Sequence, residues 1–321
     1  MSYDAANELL NVNAATYTYD LNGNRTQKID GSTSTAYTYD DENRLVRVEI
    51  TSGTTTVITY AYDPFGRRIE KNVNGTITRY LYDKQAVILE YNQAGTVQTR
   101  YTHGPGIDEP LAMEKDSLMY YYHADGLGSI IALTNTSGGV AQRYNYDAFG
   151  NITSGAPTVA QPYTYTAREY DPETGLYFYR ARYYDPRAGR FLSRDPIAFA
   201  GGDVNLYLYV RSNPVNKIDP TGLYETLFGY TECFAEINWV ALGISVADFI
   251  TGVGLELTAI TFPLGVGTFA PEAVPFVLPA AIGFGAGGYL LTKEAKHSYS
   301  EAFEEYIECV QRKKKGCPKN K

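Results

Sequence analysis

A chain of 321 residues with a formal net charge of −8 has room for two domains, and its acidic balance excludes a protein that binds nucleic acid over its whole surface. All three cysteines follow residue 223; Cys309 and Cys317 could pair in an oxidising compartment or remain free thiols. The first residues lack the apolar run of a secretory signal, which predicts either export by a dedicated machine or the end of a longer coding sequence.

The first part of the chain is a tyrosine-rich repeat. Tyr-Asp pairs recur at intervals of 20, 23 and 20 residues, and another tyrosine stands two residues before each pair. The alternation predicts strands with aromatic side chains on one face, and the Asn, Asp and Gly residues that follow predict hairpin turns. Residues 1–160 are therefore predicted to form stacked β-hairpins in one long sheet. The pairs are Tyr19-Asp20, Tyr39-Asp40, Tyr62-Asp63 and Tyr82-Asp83.

Three further phrases accompany the repeats and carry a resemblance to a known family. They are His123-Ala124-Asp125-Gly126-Leu127-Gly128-Ser129, Arg182-Tyr183-Tyr184-Asp185-Pro186 and Asp219-Pro220-Thr221-Gly222-Leu223. With the repeats, they resemble the Rhs (YD-repeat) proteins of bacteria, whose relatives include the C components of insecticidal toxin complexes and, more distantly, the teneurins. The resemblance implies a β-hairpin shell over 1–160, a repeat-associated core over 161–223 and a variable cargo over 224–321.

The same resemblance implies a self-cleavage site. In this family the shell encloses a C-terminal toxin, and an aspartyl reaction cuts the chain just after the closing motif, here between Leu223 and Tyr224. The matching carboxylates are Asp195 and Asp219. Peptide hydrolysis by two carboxyl groups needs one ionised and one protonated, a split that contact between like charges produces. Arg194 is expected to hold one of the two as the anion.

A purely structural role is the alternative for every Asp-Pro dipeptide. Asp-Pro-x-Gly is a favourable β-turn sequence, because Asp caps the turn, Pro presets φ and Gly ends it. A structural role is therefore favoured for Asp63-Pro64, Asp171-Pro172 and Asp185-Pro186. The order of Asp195 and Asp219 inside the family phrase favours catalysis for those two, and Asp203 is a weaker candidate.

Residues 224–321 differ in kind from the repeats and predict a small, mainly α, apolar domain. Residues 273–292 are 20 uncharged residues, enough to span about 30 Å of hydrocarbon as a helix. A second apolar stretch precedes them, so that residues 241–292 could insert into a bilayer as a hairpin. A buried glycine-rich core, or a segment that lines the shell, is the alternative. Lys293 to Lys315 read as an amphipathic helix.

The leading interpretation is the C-terminal part of an Rhs-type polymorphic toxin whose core cuts itself and releases a membrane-active effector. One alternative is a cell-surface adhesion module with an apolar anchor, and another is an enzymatic toxin with an unrecognised active site. The expected partners are a delivery machine, a cognate immunity protein and a lipid bilayer, but no nucleic acid. We expect no cofactor and no metal, and a location outside the producing bacterium.

Overall fold

The computed structural model describes residues 1–154 and 158–227, in which β-strands predominate. Fifteen strands pair in sequence order as one antiparallel sheet, which confirms the predicted hairpins. These strands are β1 Ser2–Tyr3, β2 Leu9–Val12, β3 Ala15–Tyr19, β4 Arg25–Asp30, β5 Thr33–Tyr39, β6 Leu45–Ser52, β7 Thr54–Tyr62, β8 Arg68–Val73, β9 Thr76–Asp83, β10 Ala86–Asn92, β11 Val97–His103, β12 Pro110–Lys115, β13 Leu118–Ala124, β14 Ile130–Asn135 and β15 Val140–Arg143.

The segment after the sheet is built from short strands. They are β16 Asn145–Tyr146 with β17 Ile152–Ser154, then a four-stranded antiparallel sheet of β18 Glu169–Asp171, β19 Leu176–Tyr179, β20 Arg182–Asp185 and β21 Arg190–Phe191, then β22 Lys217–Ile218 with β23 Thr226–Leu227. Short helical segments occupy Tyr165–Ala167, Ala198–Gly201 and Val210–Ser212.

Each part of the Tyr-x-Tyr-Asp phrase has its own contact in the sheet. The first tyrosine of the phrase is buried, as at Tyr60. The second reaches back to the preceding repeat, where the Tyr62 hydroxyl donates to the Leu45 carbonyl at 2.6 Å. Asp63 then closes the turn, because its Oδ1 accepts the amide N–H groups of Phe65 and Arg67, both at 2.9 Å. The repeat thus specifies both the strand face and the turn.

Arginines after the turns connect the sheet to residues 161–223, called the core segment below. The fifth residue after the turn aspartate faces the interior, and at Arg25 and Arg68 it is a fully buried guanidinium. Arg25 donates to Asp185 at 2.7 Å, and Arg68 donates to Asp171 at 2.6 Å. The structural role predicted for both Asp-Pro dipeptides therefore takes the form of buried ion pairs, and these pairs link residues more than a hundred positions apart.

The apolar face of the sheet packs directly on the core segment. Tyr101 and Met113 share a buried cluster with Tyr163, and Val48 shares another with Phe178. Burial of these large side chains supplies the main favourable free energy of folding. Residues 161–223 therefore complete the hydrophobic interior of the repeat sheet, and the predicted boundary at residue 160 stays a prediction.

Among the described residues, 1–195 and 205–227 belong to one compact unit and 196–204 belong to another. Within residues 1–154 and 158–227, no helix reaches the length and apolar character that a membrane crossing requires. The predicted α-helical domain, the apolar residues 241–292 and the pairing of Cys309 with Cys317 lie outside the described residues.

Candidate functional site

The closing motif forms a turn built around the Asp219 side chain. Its Oδ1 accepts three backbone N–H groups, from Gly222 at 2.8 Å and from Thr221 and Leu223 at 3.2 Å. Gly222 has a φ of +73°, and a Cβ atom there would lie 2.3 Å from the Tyr179 carbonyl oxygen. Glycine is therefore required by the backbone conformation and by the close approach of β19.

Arg182 brings the two predicted carboxylates together. It lies on β20, where all four residues are buried. One terminal nitrogen stands 2.9 Å from Asp195 Oδ2 and 3.7 Å from Asp219 Oδ2. The other donates to the Leu206 carbonyl at 3.0 Å, and the Asp195 amide donates to that same carbonyl at 2.8 Å. Residues 24 positions apart in sequence thus converge on one guanidinium.

The side chains of Asp195, Asp219 and Arg182 are all buried. Burial raises the pKa of Asp219 to about 6, against the opposing effects of Arg182 and the three turn amides. Burial likewise lowers the pKa of Arg182 from its ordinary value, although both aspartates favour the cation. Arg182 also donates to the Gly222 carbonyl and stacks on Phe191, with 3.7 Å between the guanidinium carbon and the ring centroid.

Arg194 does not have the contact expected of it, and this is a correction. Its guanidinium donates to Glu8 at 2.9 Å, and 36% of its side chain is exposed. Arg182 lies beside the two carboxylates instead. All four residues of β20 are buried, and the long side chain of Arg182 reaches Asp195 and Asp219 from that strand. Adjacency to Asp195 in sequence was a poor guide, since successive side chains can face different neighbours.

Arg180 also bonds the closing motif, and Asp108 joins it to Arg168. Arg180 donates to the Pro220 carbonyl and also to both carboxylate oxygens of Asp108, at 3.1 and 2.7 Å. Asp108 bonds Arg168 as well. Burial alone would raise the pKa of Asp108, but Arg168 and Arg180 hold it below its ordinary value. A fixed carboxylate thereby orients the guanidinium that holds the closing motif.

Comparison with known proteins decides the family. The teneurin YD-shell family model matches residues 1–215. The chain belongs to the teneurin YD-shell family. This agrees with the resemblance inferred from the Tyr-Asp repeats, and it accounts for the hairpin sheet through the same repeated phrase.

Two curated relatives of this YD-shell chain come from Bacillus. The tRNA3(Ser)-specific nuclease WapA of Bacillus spizizenii and the tRNA nuclease WapA of Bacillus subtilis are each 39% identical over 229 residues, which is 69% of this chain and 10% of the relative. The chain therefore spans about a tenth of the length of these relatives. Among solved structures, the Tc holotoxin pore of Photorhabdus luminescens matches with a TM-score of 0.50 and 21% identity, over 66% of this chain and 13% of the other.

The predicted cleavage position of this YD-shell chain lies next to Asp219. Leu223 and Tyr224 are partly exposed, between the Asp219 turn and β23. The Leu223 amide donates to Asp219, so this carboxyl group lies beside the residue whose carbonyl would react.

The two aspartates predicted from the family phrase lie together beside Arg182, whereas Arg182, Arg180 and Asp108 were not predicted. Arg182 stood in a quoted phrase, directly before Tyr183-Tyr184-Asp185-Pro186, and an arginine inside a run of buried strand residues was the available signal. Asp108 lies in a loop with no motif, and only the folded structure joins it to Arg168 and Arg180.

Proposed function

We propose that this chain is the C-terminal part of a toxin that cuts itself between Leu223 and Tyr224, with Asp195 and Asp219 as the reacting carboxyl groups. The observation that carries the proposal is the shared guanidinium, which lies 2.9 Å from one buried carboxyl group and 3.7 Å from the other. One cation offsets one of two negative charges, so the shared arrangement favours a pair that holds a single proton.

In this proposal Asp219 is the acid and Asp195 is the base. A pKa near 6 keeps a large fraction of Asp219 protonated in mildly acidic solution. Its Oδ1 is occupied by three amide N–H groups, so the proton belongs on Oδ2, which faces Arg182. Asp195 accepts directly from Arg182, an arrangement that favours the carboxylate and suits a base.

The reaction that follows is a hydrolysis. Asp195 takes a proton from water, and the water oxygen forms a bond to the Leu223 carbonyl carbon while Asp219 donates a hydrogen bond to the carbonyl oxygen. The C–N bond then breaks as Asp195 passes the proton that it took from water to the Tyr224 nitrogen. The products are a chain that ends in the Leu223 carboxylate and a released segment that begins with the Tyr224 amine.

The role as a toxin is supported by the relatives. The two Bacillus relatives described above are named as tRNA nucleases, and another relative, from Yersinia entomophaga, is named as toxin subunit YenC1 and is 27% identical over 147 residues, 44% of this chain. Delivery out of the producing cell by a dedicated machine and neutralisation by an immunity protein belong to this proposal. A cell-surface adhesion module with an apolar anchor remains the alternative if no cleavage occurs.

For the released segment, residues 224–321, we propose a membrane-active effector. Residues 273–292 carry no charge, and Lys313, Lys314 and Lys315 provide a basic flank suited to anionic headgroups. A second candidate is an effector that acts on nucleic acid, and the names of the two Bacillus relatives favour it.

The cleavage proposal is tested with purified full-length protein. Wild-type chain should yield a fragment that begins at Tyr224, and Asp195→Asn and Asp219→Asn should each reduce its formation by at least about 10³-fold, because the first removes the base and the second removes the acidic hydroxyl that polarises the carbonyl. Asp41→Asn is the matched control, since Asp41 is exposed in a turn and should leave cleavage unchanged. N-terminal sequencing and intact mass report the result. Cleavage at another bond, or in both site variants, would refute the assignment.

The cargo proposal is tested with residues 224–321 and liposomes. A charge in the middle of an inserted segment costs about 2.5–3.5 kcal/mol, so Ala281→Arg should abolish flotation with liposomes and dye leakage. A wild-type segment that stays in solution and degrades added tRNA would favour the nucleic-acid candidate instead.

A further inference from the structure

The downstream side of the cleavage position is held by its own structure. β22 and β23 pair antiparallel, with Lys217 opposite Leu227 and Ile218 opposite Thr226. The Asp219 turn and the Leu223–Tyr224 bond therefore lie in the loop that connects the paired strands β22 and β23. This pairing restricts where the bond can lie, because neither flank moves independently.

Glu225 forms two ion pairs at the end of this loop. Glu225 stands two residues after Leu223, and its Oε1 accepts from Lys217 at 2.6 Å and from Arg211 at 3.2 Å. The Glu225 side chain is 15% exposed, so solvent screens these pairs only in part. Its other oxygen is buried without a hydrogen bond among the described residues. A carboxylate in this position is costly to bury unless both cations stay beside it.

The backbone that presents Arg211 is strained. Val210, Arg211 and Ser212 all have positive φ values, of 43°, 50° and 55°. A β-branched residue such as Val210 is rarely found in this region, because its side chain crowds the backbone. Strain of this kind persists only where surrounding structure compels it, and it concentrates at functional positions. Here the strained turn places the Arg211 guanidinium beside Glu225, which follows the cleavage position.

We propose that Glu225 is a positioning residue for the self-cleavage. Its ion pairs with Lys217 and Arg211 fix the first residues of the released segment, so that the Leu223 carbonyl lies beside Asp195 and Asp219. This inference rests on the proposed self-cleavage. It assigns a chemical requirement to the released segment itself, an acidic side chain two residues after the cut. Residues 161–223 supply the two cations, and the cargo supplies the anion.

The test measures cleavage rate during cell-free synthesis of the full-length chain, by pulse–chase. Glu225→Gln keeps the size of the side chain and removes its charge, and we expect cleavage to slow about tenfold or more, because small misplacements of a reacting group have effects of this size. Glu42→Gln is the matched control, since Glu42 also pairs with an arginine, Arg44, but on the exposed surface of a repeat turn.

Salt dependence separates positioning by charge from loss of fold. Rising salt should slow the wild-type chain toward the rate of Glu225→Gln and leave the variant itself unaffected. The reversed pair Lys217→Glu with Glu225→Lys should regain part of the lost rate. Equal rates for wild type and Glu225→Gln at low salt would overturn the inference while the self-cleavage stands.

A readout independent of cleavage uses amide hydrogen exchange on the uncleaved Asp219→Asn chain. Adding Glu225→Gln should speed exchange at Ile218 and Thr226, which lie opposite each other. Unchanged protection would contradict the inference even if no cleavage occurred. A wild-type chain that never cleaves would refute the proposed function, and with it any role in positioning the reaction.

Discussion

Asp171 and Asp219 each precede a proline and are each buried, at 1% and 2% exposure, but their pKa values move in opposite directions. Burial favours the neutral acid in both. Asp171 has Arg68 at 2.6 Å and Lys71 at 3.0 Å, which overcome burial and lower its pKa. Asp219 has one arginine at 3.7 Å, shared with Asp195, and its pKa rises to about 6. The number of cations beside each carboxylate accounts for the opposite directions of the two pKa shifts.

The opposite shifts have opposite consequences for stability. Asp171, with a lowered pKa in the folded state, contributes stability that is present above its unfolded pKa and is lost as the pH falls through the folded value. Asp219, with a raised pKa, contributes stability that is present below its unfolded value near 3.8 and is lost as the pH rises through about 6. The ion pairs of Asp171 therefore link the sheet to residues 161–223, while Asp219 keeps its proton up to a higher pH than an ordinary aspartate does.

The largest expected effect that distinguishes the two is on stability. In an uncleaved Asp195→Asn background, adding Asp171→Asn should lower the free energy of unfolding by about 3–5 kcal/mol, because it leaves the buried Arg68 and Lys71 short of a counter-charge. Urea unfolding followed by tyrosine fluorescence measures the change. Asp41→Asn in the same background should change it by less than about 0.5 kcal/mol. A loss below about 1 kcal/mol for Asp171→Asn would contradict the structural assignment.

The next effect is on the pH dependence of cleavage. If Asp219 acts as the acid, its protonated fraction falls above a pKa near 6, so the rate should drop about tenfold per pH unit there. Cleavage at pH 8 should therefore be about 50-fold slower than at pH 6, where half of Asp219 is protonated. Intact chain purified at high pH and shifted to a series of lower values, with fragment quantified over time, gives the profile. A rate that climbs above pH 7 would exclude Asp219 as the acid.

The sequence predicted the repeat sheet better than the site, for a physical reason. Tyr-x-Tyr-Asp determines its own strand face and turn through neighbours such as the Asp63 side chain and the Phe65 amide, so the signal is local. The partners of Arg182 come from segments that meet only after folding. Family order led to Asp195 and Asp219, whereas the sequence does not show in which direction the side chain of Arg194 points.

The arginines that follow the repeat turns show the same limit. Arg25, Arg44 and Arg67 looked equivalent in sequence, since each follows a Tyr-Asp pair and a polar turn. Arg44 and Arg67 stand four residues after the turn aspartate and bond it, while Arg25 stands five residues after and enters the core. A shift of one residue in a strand reverses the face. Its counterpart in the third repeat is Arg68, which the sequence pattern alone did not distinguish from Arg67.

The last prediction compares these two neighbours, and the smallest expected effect belongs to Arg67. The comparison tests whether burial or charge pairing decides how much free energy of unfolding is lost. Arg67 bonds Asp63 at 2.6 Å, but 27% of its side chain is exposed, so Arg67→Met should lower the free energy of unfolding by no more than about 1 kcal/mol. Arg68→Met should cost about 3–5 kcal/mol, since it strands Asp171 and Glu169 in the interior. Both changes keep a long apolar side chain, so packing is matched as closely as natural residues allow. Equal losses in urea unfolding of the uncleaved chain would mean that burial does not set the value of these pairs, and the contrast between Asp171 and Asp219 would lose its physical basis.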